Sequence, residues 1–309
     1  MALRPLRIGT RGSAMALYQA NLVRARLCAA HPGLAEPGML SLEVIRTTGD
    51  RVQNRLLAEI GGKGLFTKEI EQGLIDRRID FAVHSLKDME TFLPSELTIA
   101  CVLPRDDPRD ALVTRGNIAL AALPQGARIG TASLRRKAQL LHHRPDLAVG
   151  PIRGNVDTRL AKLAAEEVEG LLLALSGLQR LGIADAACQI LSVEQMLPAV
   201  GQGALAIETR ADNAELRELL SPLHDPASAA CVNAERAMLA ALDGSCHTPI
   251  AGHATLSGAQ LHLRALLLTE DGSAERRAEG SGAAADAAAL GREIGERLRR
   301  DAGPEFGLD

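Results

Sequence analysis

Aromatic side chains are scarce: the 309 residues include four Phe, one Tyr and no Trp. So few rings leave little on which to stack bases, which argues against a single-stranded nucleic-acid binder. The core must be built from Leu, Ala, Val and Ile. A basic excess is also missing, since 35 Lys and Arg against 38 Asp and Glu leave a formal charge of −3. That balance is unlike a phosphate-backbone binder. The five cysteines, Cys28, Cys101, Cys188, Cys231 and Cys246, form no CxxC pair, so neither a zinc ribbon nor a disulfide framework is indicated. A reducing cytoplasm is the expected compartment. Apolar runs such as Gly170 to Leu175 fall far short of the ~20 residues of a membrane span. The N-terminus, with Arg4, Arg7 and Arg11, lacks a signal-peptide core. The expectation is a soluble protein with no nucleic-acid or membrane partner and no bound metal.

What is present is ordinary globular composition, 46% hydrophobic and 24% charged, at a length that suggests two or three domains. Short apolar runs alternate with stretches of helical period. Strands are expected at 7–10, 42–47, 79–84, 97–102, 111–114, 127–131, 148–152, 170–175 and 203–208. Helices are expected at 15–28, 66–76, 134–143 and 156–166. This alternation predicts α/β architecture with largely parallel sheets. From Pro226 onward the order changes to a helix, two strands at 250–256 and 261–269, and a helix at 284–300, a small α+β unit. One echo stands out. Arg7-Ile-Gly-Thr10 precedes a helix, and so does Arg128-Ile-Gly-Thr131. Chance in an Ala/Leu/Gly-rich chain is one explanation. Two similar domains, each with a hydroxyl-bearing turn at a helix N-terminus suited to anions, is the other.

Several segments have the residue types for chemistry. From Arg128 through Arg159 the sequence holds seven basic residues (Arg128, Arg135, Arg136, Lys137, Arg144, Arg153, Arg159) against Asp146 and Asp157. A solvated helix face explains such a run. Arginines beside turns also suit bidentate binding of ligand carboxylates, with phosphates as the competing option. The strand at 79–84 runs into Ser85, Lys87 and Asp88, where ligands bind in open α/β sheets. On spacing alone, Asp88 remains open between a turn or cap residue and a catalytic carboxylate. His84 reads as a packed strand residue, and His142 and His143 as surface residues. Gly61-Gly-Lys63-Gly64 lacks phosphate-loop spacing, and the stretch 48–64 reads as a mobile loop. Gly201-Gln-Gly203 reads as a hinge or tight turn. Cys246, beside His247 on a polar loop, is either a small core hydrophobe or a reactive thiolate.

Taken in order, Arg11-Gly-Ser13, Gly61-Gly-Lys-Gly-Leu-Phe66, Val83-His-Ser-Leu-Lys-Asp88, Asp107-Pro-Arg-Asp110, Gly130-Thr-Ala-Ser-Leu-Arg-Arg136, Arg153-Gly-Asn-Val-Asp-Thr-Arg159, Leu197-Pro-Ala-Val-Gly-Gln-Gly203 and the Cys246 loop resemble the porphobilinogen deaminase (hydroxymethylbilane synthase) family. The match covers nearly the whole chain. The resemblance implies three domains. Two are of periplasmic-binding-protein type II with mixed sheets, at 1–104 plus 201–221 and at 105–200, and a small α+β domain follows at 222–309. It implies a dipyrromethane cofactor joined by a thioether to Cys246. It also implies head-to-tail condensation of four porphobilinogen molecules with release of ammonia to give hydroxymethylbilane. By the same match Asp88 is catalytic. Arg11, Ser13, Lys87, Thr131, Ser133, Arg135, Arg136, Arg153, Arg159 and Arg180 would bind the cofactor and substrate carboxylates, and Lys63 and Phe66 would lie on the mobile loop. A cytoplasmic monomer is expected. Met89-Glu90, Ser245 and Tyr18 depart from the common family pattern, where Val-Pro, Gly and Trp are frequent. Two rivals share the fold: a polycarboxylate-binding protein, and an enzyme for phosphorylated substrates.

Overall fold

The computed structural model describes residues 4–51, 64–244 and 248–308. The chain divides into two compact units, Met1–Arg105 with Ala204–Ala229, and Asp106–Gly203 with Ala230–Asp309. In the first unit, β1 (Leu6–Thr10), β2 (Leu40–Val44), β3 (Phe81–Ser85), β4 (Leu97–Val102) and β10 (Leu205–Arg210) form one sheet in the order β2-β1-β3-β10-β4. Strand β1 is parallel to β2 and β3, whereas β10 is antiparallel to both β3 and β4. Helix α1 (Ala14–Ala30) buries Ala16, Ala20, Val23 and Leu27. These positions are spaced 4, 3 and 4 apart, so they share one helical face. That face meets Leu6, Ile8, Phe81, Val83 and Ile207 of the sheet. A single helical turn α2 (Thr48–Arg51), α3 (Lys68–Ile75) and α7 (Ala214–Leu220) complete the unit.

The second unit repeats the plan. Strands β5 (Asp110–Thr114), β6 (Arg128–Gly130), β7 (Ala148–Gly150), β8 (Gly170–Ala174) and β9 (Gln189–Ile190) lie in the order β7-β6-β8-β5-β9. Here β6 is parallel to β7 and β8, and β5 is antiparallel to β8 and β9. Position for position this is the arrangement of the first sheet, with β6 standing where β1 stands. The echoed Ile-Gly-Thr therefore occupies equivalent strands, and the glycine has the same cause in each. A Cβ at Gly9 would lie 2.2 Å from Ile79 Cδ1, and one at Gly130 would lie 2.9 Å from Ile152 Cγ2 and 3.1 Å from Leu171 Cδ2. The expectation of largely parallel sheets is corrected to mixed ones. Strands β10 and β5 each enter beside the end of a parallel strand, with Leu205 opposite Ser85 and Asp110 opposite Ala174.

Helices α4 (Leu134–His143), α5 (Val156–Ala164) and α6 (Leu175–Arg180) follow their strands. Helix α8 (Pro226–Ala241) leads to a three-stranded antiparallel sheet of β11 (Ile250–Ser257), β12 (Gln260–Leu268) and β13 (Glu275–Ala283), covered by α9 (Ala287–Asp301). Ala138 of α4 joins Leu197, Ala251, Leu266 and Leu268 in one apolar cluster. Gly272, at φ +73, lies so close to α4 that a Cβ would be 2.4 Å from the Ala138 carbonyl oxygen. The β11–β13 sheet is thereby fixed against the helix that carries Arg135 and Arg136.

Replacing Gly130 by Val is expected to cost about 1–3 kcal/mol through overpacking. Gly150, its partner in β7, has no atom within 4 Å of a built Cβ, so Gly150→Ala is expected to stay within about 0.5 kcal/mol of the parent. Thermal or urea denaturation of the two variants checks the contrast.

Candidate active site

Both sheets present their functional side chains beyond the carboxyl ends of parallel strands. In the first unit β1 ends at Thr10 and Arg11-Gly-Ser13 turns into α1. The Ser13 hydroxyl oxygen accepts the Ala16 N–H at 3.2 Å and caps the helix. Such a cap is worth about 1 kcal/mol and leaves the O–H free to donate. Arg11 donates to Asp50 from Nη2 at 2.5 Å and from Nε at 3.2 and 3.3 Å, and its guanidinium lies 4.2 Å from the Phe66 ring centroid. Burial opposes the charge on Asp50, but hydrogen bonds from Arg11 and Thr47 overcome it and hold its carboxyl below the usual range. Phe66 fits here because Gly49 has no side chain: a Cβ there would be 2.2 Å from the ring. The loop expected over 48–64 therefore begins as a helical turn. Phe66 is packed, whereas Lys63 lies outside the described residues.

Strand β3 ends in Ser85, whose hydroxyl accepts the Gln19 amide at 2.7 Å. The next turn, Leu86–Asp88, buries Leu86, half-buries Lys87 and exposes Asp88. Asp88 has no ion-pair partner among the described residues. This contrasts with Asp80, buried under Arg4 at 2.9 Å and the Arg7 N–H at 2.8 Å. His84 is a packed strand residue, buried 3.1 Å from Glu208. Glu71 lies within reach of the same pair, and burial raises its carboxyl above the ordinary range. Glu90, in the unusual Met89-Glu90 pair, accepts the N–H of Gly64.

In the second unit the turn after β6 repeats the first. Thr131 accepts the Ser133 N–H at 3.2 Å, and Ser133 caps α4 by accepting the Arg136 N–H at 3.4 Å. Arg135 and Arg136 are both buried, as is Asp110 between them. Asp110 Oδ2 accepts from Arg135 Nη2 at 2.8 Å, while Oδ1 accepts from Arg136 Nη2 at 2.7 Å and Nε at 3.0 Å and from Gln202 Nε2 at 2.9 Å. Burial works against the Asp110 charge, but the two guanidinium groups and Gln202 prevail and bring its pKa down to about 2. Arg180 donates to Asp106 at 2.9 Å and to the Gly203 carbonyl at 2.8 Å. Gly203 (φ +88) permits this approach, since a Cβ would sit 2.4 Å from the Asp106 carbonyl oxygen.

Arg11, Arg135, Arg136 and Arg180 thus each have an acid of the protein as a partner, which the run of basic residues in the sequence did not show. Protein acids from elsewhere in the chain already pair with them, as Glu169 does with Arg128 at 2.7 Å. Arg153 and Arg159 are both half-buried; Arg159 donates to the Gly154 carbonyl at 2.8 Å, and Arg153 has no carboxylate partner among the described residues. Sequence reasoning assigned no role to Asp50, Asp110 or Glu235. Buried Glu235 accepts the N–H of Gly201 at 2.7 Å and of Ala254 at 2.8 Å. The only signal was Asp110 closing Asp107-Pro-Arg-Asp110. Cys246 lies outside the described residues.

The residues fit a polycarboxylate. Among the described residues Arg153 has no carboxylate partner, and Arg135 Nε is a buried N–H without an acceptor. The hydroxyls of Ser13, Thr131 and Ser133 accept locally and keep their protons to donate. Each unit is thus an α/β sheet with a hydroxyl-bearing turn at the end of a parallel strand, and the first unit also exposes a carboxylate at the end of β3.

Comparison with known proteins agrees. Residues 6–218 match the family model "Porphobilinogen deaminase, dipyromethane cofactor binding domain", and residues 229–300 match "Porphobilinogen deaminase, C-terminal domain". The porphobilinogen deaminase of Paracoccus denitrificans is 53% identical over 302 residues, covering 98% of this chain and 96% of that protein. The one from Nitrobacter hamburgensis is 50% identical over 299 residues, covering 97% and 94%. The crystal structure of "a putative methionine-binding lipoprotein" from Bacillus subtilis aligns at 13% identity with a TM-score of 0.43, over 72% of this chain and 91% of that one. The chain belongs to the porphobilinogen deaminase family. Its activity is that of a transferase of tetrapyrrole biosynthesis, joining four porphobilinogen molecules head to tail with loss of ammonia to give hydroxymethylbilane.

The lowered Asp110 pKa fixes a sign. Its stabilising contribution is complete above the unfolded carboxyl pKa of about 3.9 and is lost as pH falls toward 2. Urea midpoints measured from pH 5 to pH 2 are expected to fall less steeply for Asp110→Asn than for the parent chain.

Proposed function

We propose that Asp88 is the catalytic carboxylate, that the dipyrromethane is attached through Cys246, and that Arg11, Arg135, Arg136, Arg153, Arg159 and Arg180 bind carboxylates of cofactor and substrate, assisted by Lys87, Ser13, Thr131 and Ser133. The observation that carries this reading is the contrast between acids: Asp50, Asp80, Asp106 and Asp110 are committed to arginines, whereas Asp88 stands exposed at the end of β3. Porphobilinogen bears acetate and propionate groups, so the growing product accumulates negative charge that guanidinium forks suit. Loss of ammonia makes the substrate ring cationic. A carboxylate held against that charge lowers the barrier electrostatically and can accept and return protons at the ring nitrogen. When bound, the dipyrromethane supplies the pyrrole carbon to which the first substrate is joined. Thr248 and Pro249 lead into β11, whose sheet is packed on α4, the helix that carries Arg135 and Arg136. A monomer acting in the cytoplasm, divided at 1–104 with 201–221, 105–200 and 222–309, completes this reading and rests on the family resemblance.

Asp88→Asn is expected to retain the folded state while turnover falls about 10²–10³-fold, the size of one lost transition-state electrostatic contact. Stopped assays of hydroxymethylbilane formation alongside circular dichroism check this, and a near-parental rate removes Asp88 from the chemistry. Intact-mass spectrometry of the purified chain is expected to show a two-pyrrole adduct that disappears in Cys246→Ser. Arg153→Leu is expected to raise the porphobilinogen KM without lowering the thermal midpoint, because among the described residues the side chain has no carboxylate to abandon.

A further inference from the structure

Asp110 contacts nothing outside the protein: it is wholly buried. It begins β5, the strand antiparallel to β8, and this places it at the same sheet edge as the turn after β6. Its two oxygens divide the neighbouring donors. One takes Arg135, and the other takes Arg136 and Gln202. The remaining arginine donors are aimed at backbone, Arg135 Nη1 at the Leu197 carbonyl at 2.6 Å and Arg136 Nη1 at the Leu172 carbonyl at 3.0 Å. Gln202 also donates to the Pro108 carbonyl at 2.6 Å. Two guanidinium charges and one carboxylate leave a single net positive charge, with both planar groups fixed in direction, beside the capped N-terminus of α4. A charge-collecting site would be stronger without the acid. Its presence between the arginines serves orientation, since guanidinium hydrogen bonding to carboxylates is directional.

We propose that Asp110 is a positioning residue for anion binding by this unit: it locks Arg135 and Arg136 into the orientation in which they receive a carboxylate, with Gln202 fixing which oxygen serves which arginine. This rests on the reading of Arg135 and Arg136 as carboxylate contacts. The two explanations of Asp110, orientation and charge, give opposite signs for Asp110→Asn. That change raises the net charge of the site by one and replaces one of the two acceptor oxygens with an NH2 donor, so the two arginines can no longer both be held.

The experiment measures, on the purified full-length chain, the fraction of molecules carrying the two-pyrrole adduct by intact mass. It also measures the porphobilinogen KM and kcat per loaded molecule, at low and high salt and well below the thermal midpoint. Positioning predicts that Asp110→Asn lowers the loaded fraction and raises KM about tenfold or more, the scale of one misdirected charge-assisted hydrogen bond, despite the added charge. An unchanged or lower KM with parental loading, or a KM gain that salt abolishes as a charge effect would, overturns it. Should Asp110→Asn prove unfolded at the assay temperature, Gln202→Met provides the reading. It keeps every charge, and a KM rise in the same direction supports the proposal, whereas parental loading and KM overturn it. Arg135→Leu separates the layers: parental loading and KM there remove the contact reading itself, whereas a defect there with a parental Asp110→Asn overturns the positioning role alone.

Discussion

The guanidinium–carboxylate pair is the interaction on which this structure turns. A buried arginine carries a charge that the interior tolerates only beside an acceptor of opposite sign, and the chain supplies these acceptors itself at Asp50, Asp106 and Asp110. The arginines are therefore held in place by the protein itself, and on the proposed reading a carboxylate-bearing molecule meets them already set. Such preorganisation avoids the entropic cost of ordering long, flexible side chains on binding. Arg153 has no carboxylate partner among the described residues, and on the proposed reading it supplies charge that no protein acid offsets.

The fold delivers this arrangement twice. Each sheet has three parallel strands with helical turns at their carboxyl ends, followed by a strand that enters in the opposite sense. That reversed strand brings chemistry to the ligand edge which a purely parallel sheet would keep at the far end. In the second unit it carries Asp110, and in the first it is preceded by the Gly201-Gln-Gly203 turn whose Gln202 reaches Asp110. The small third sheet is anchored on α4, the helix of Arg135 and Arg136, by Ala138 and Gly272.

Much of this was legible in the residues. Helix α4 begins and ends where its period and Ser133 cap predict, at Leu134 and His143, and the repeated Ile-Gly-Thr marks equivalent strands. Strand β13 was invisible because Glu275–Ala283 is made of charged and small residues with no apolar run, and its place depends on pairing with β12 along its whole length. Short α6 and α7 offer too few turns for a period to show. At the site, the turns and arginines were readable because they are local. Their acids were not: Asp110 lies 25 residues from Arg135, Asp106 lies 74 from Arg180 and Asp50 lies 39 from Arg11, and only the folded topology brings them together. The assignment of individual roles came from resemblance to a family, which spacing alone could not supply.

The central claim is that a ligand's acid groups are met by pre-set guanidinium groups while Asp88 meets its pyrrole nitrogen. A crystal structure of the chain trapped after reaction with a single porphobilinogen tests it most directly. The account predicts carboxylate oxygens within about 3 Å of arginine N–H groups that include Arg153, and a pyrrole N–H donating to Asp88 at hydrogen-bond distance. Pyrrole rings bound away from Asp88, with their acid groups facing solvent or lysines on another surface, would contradict it.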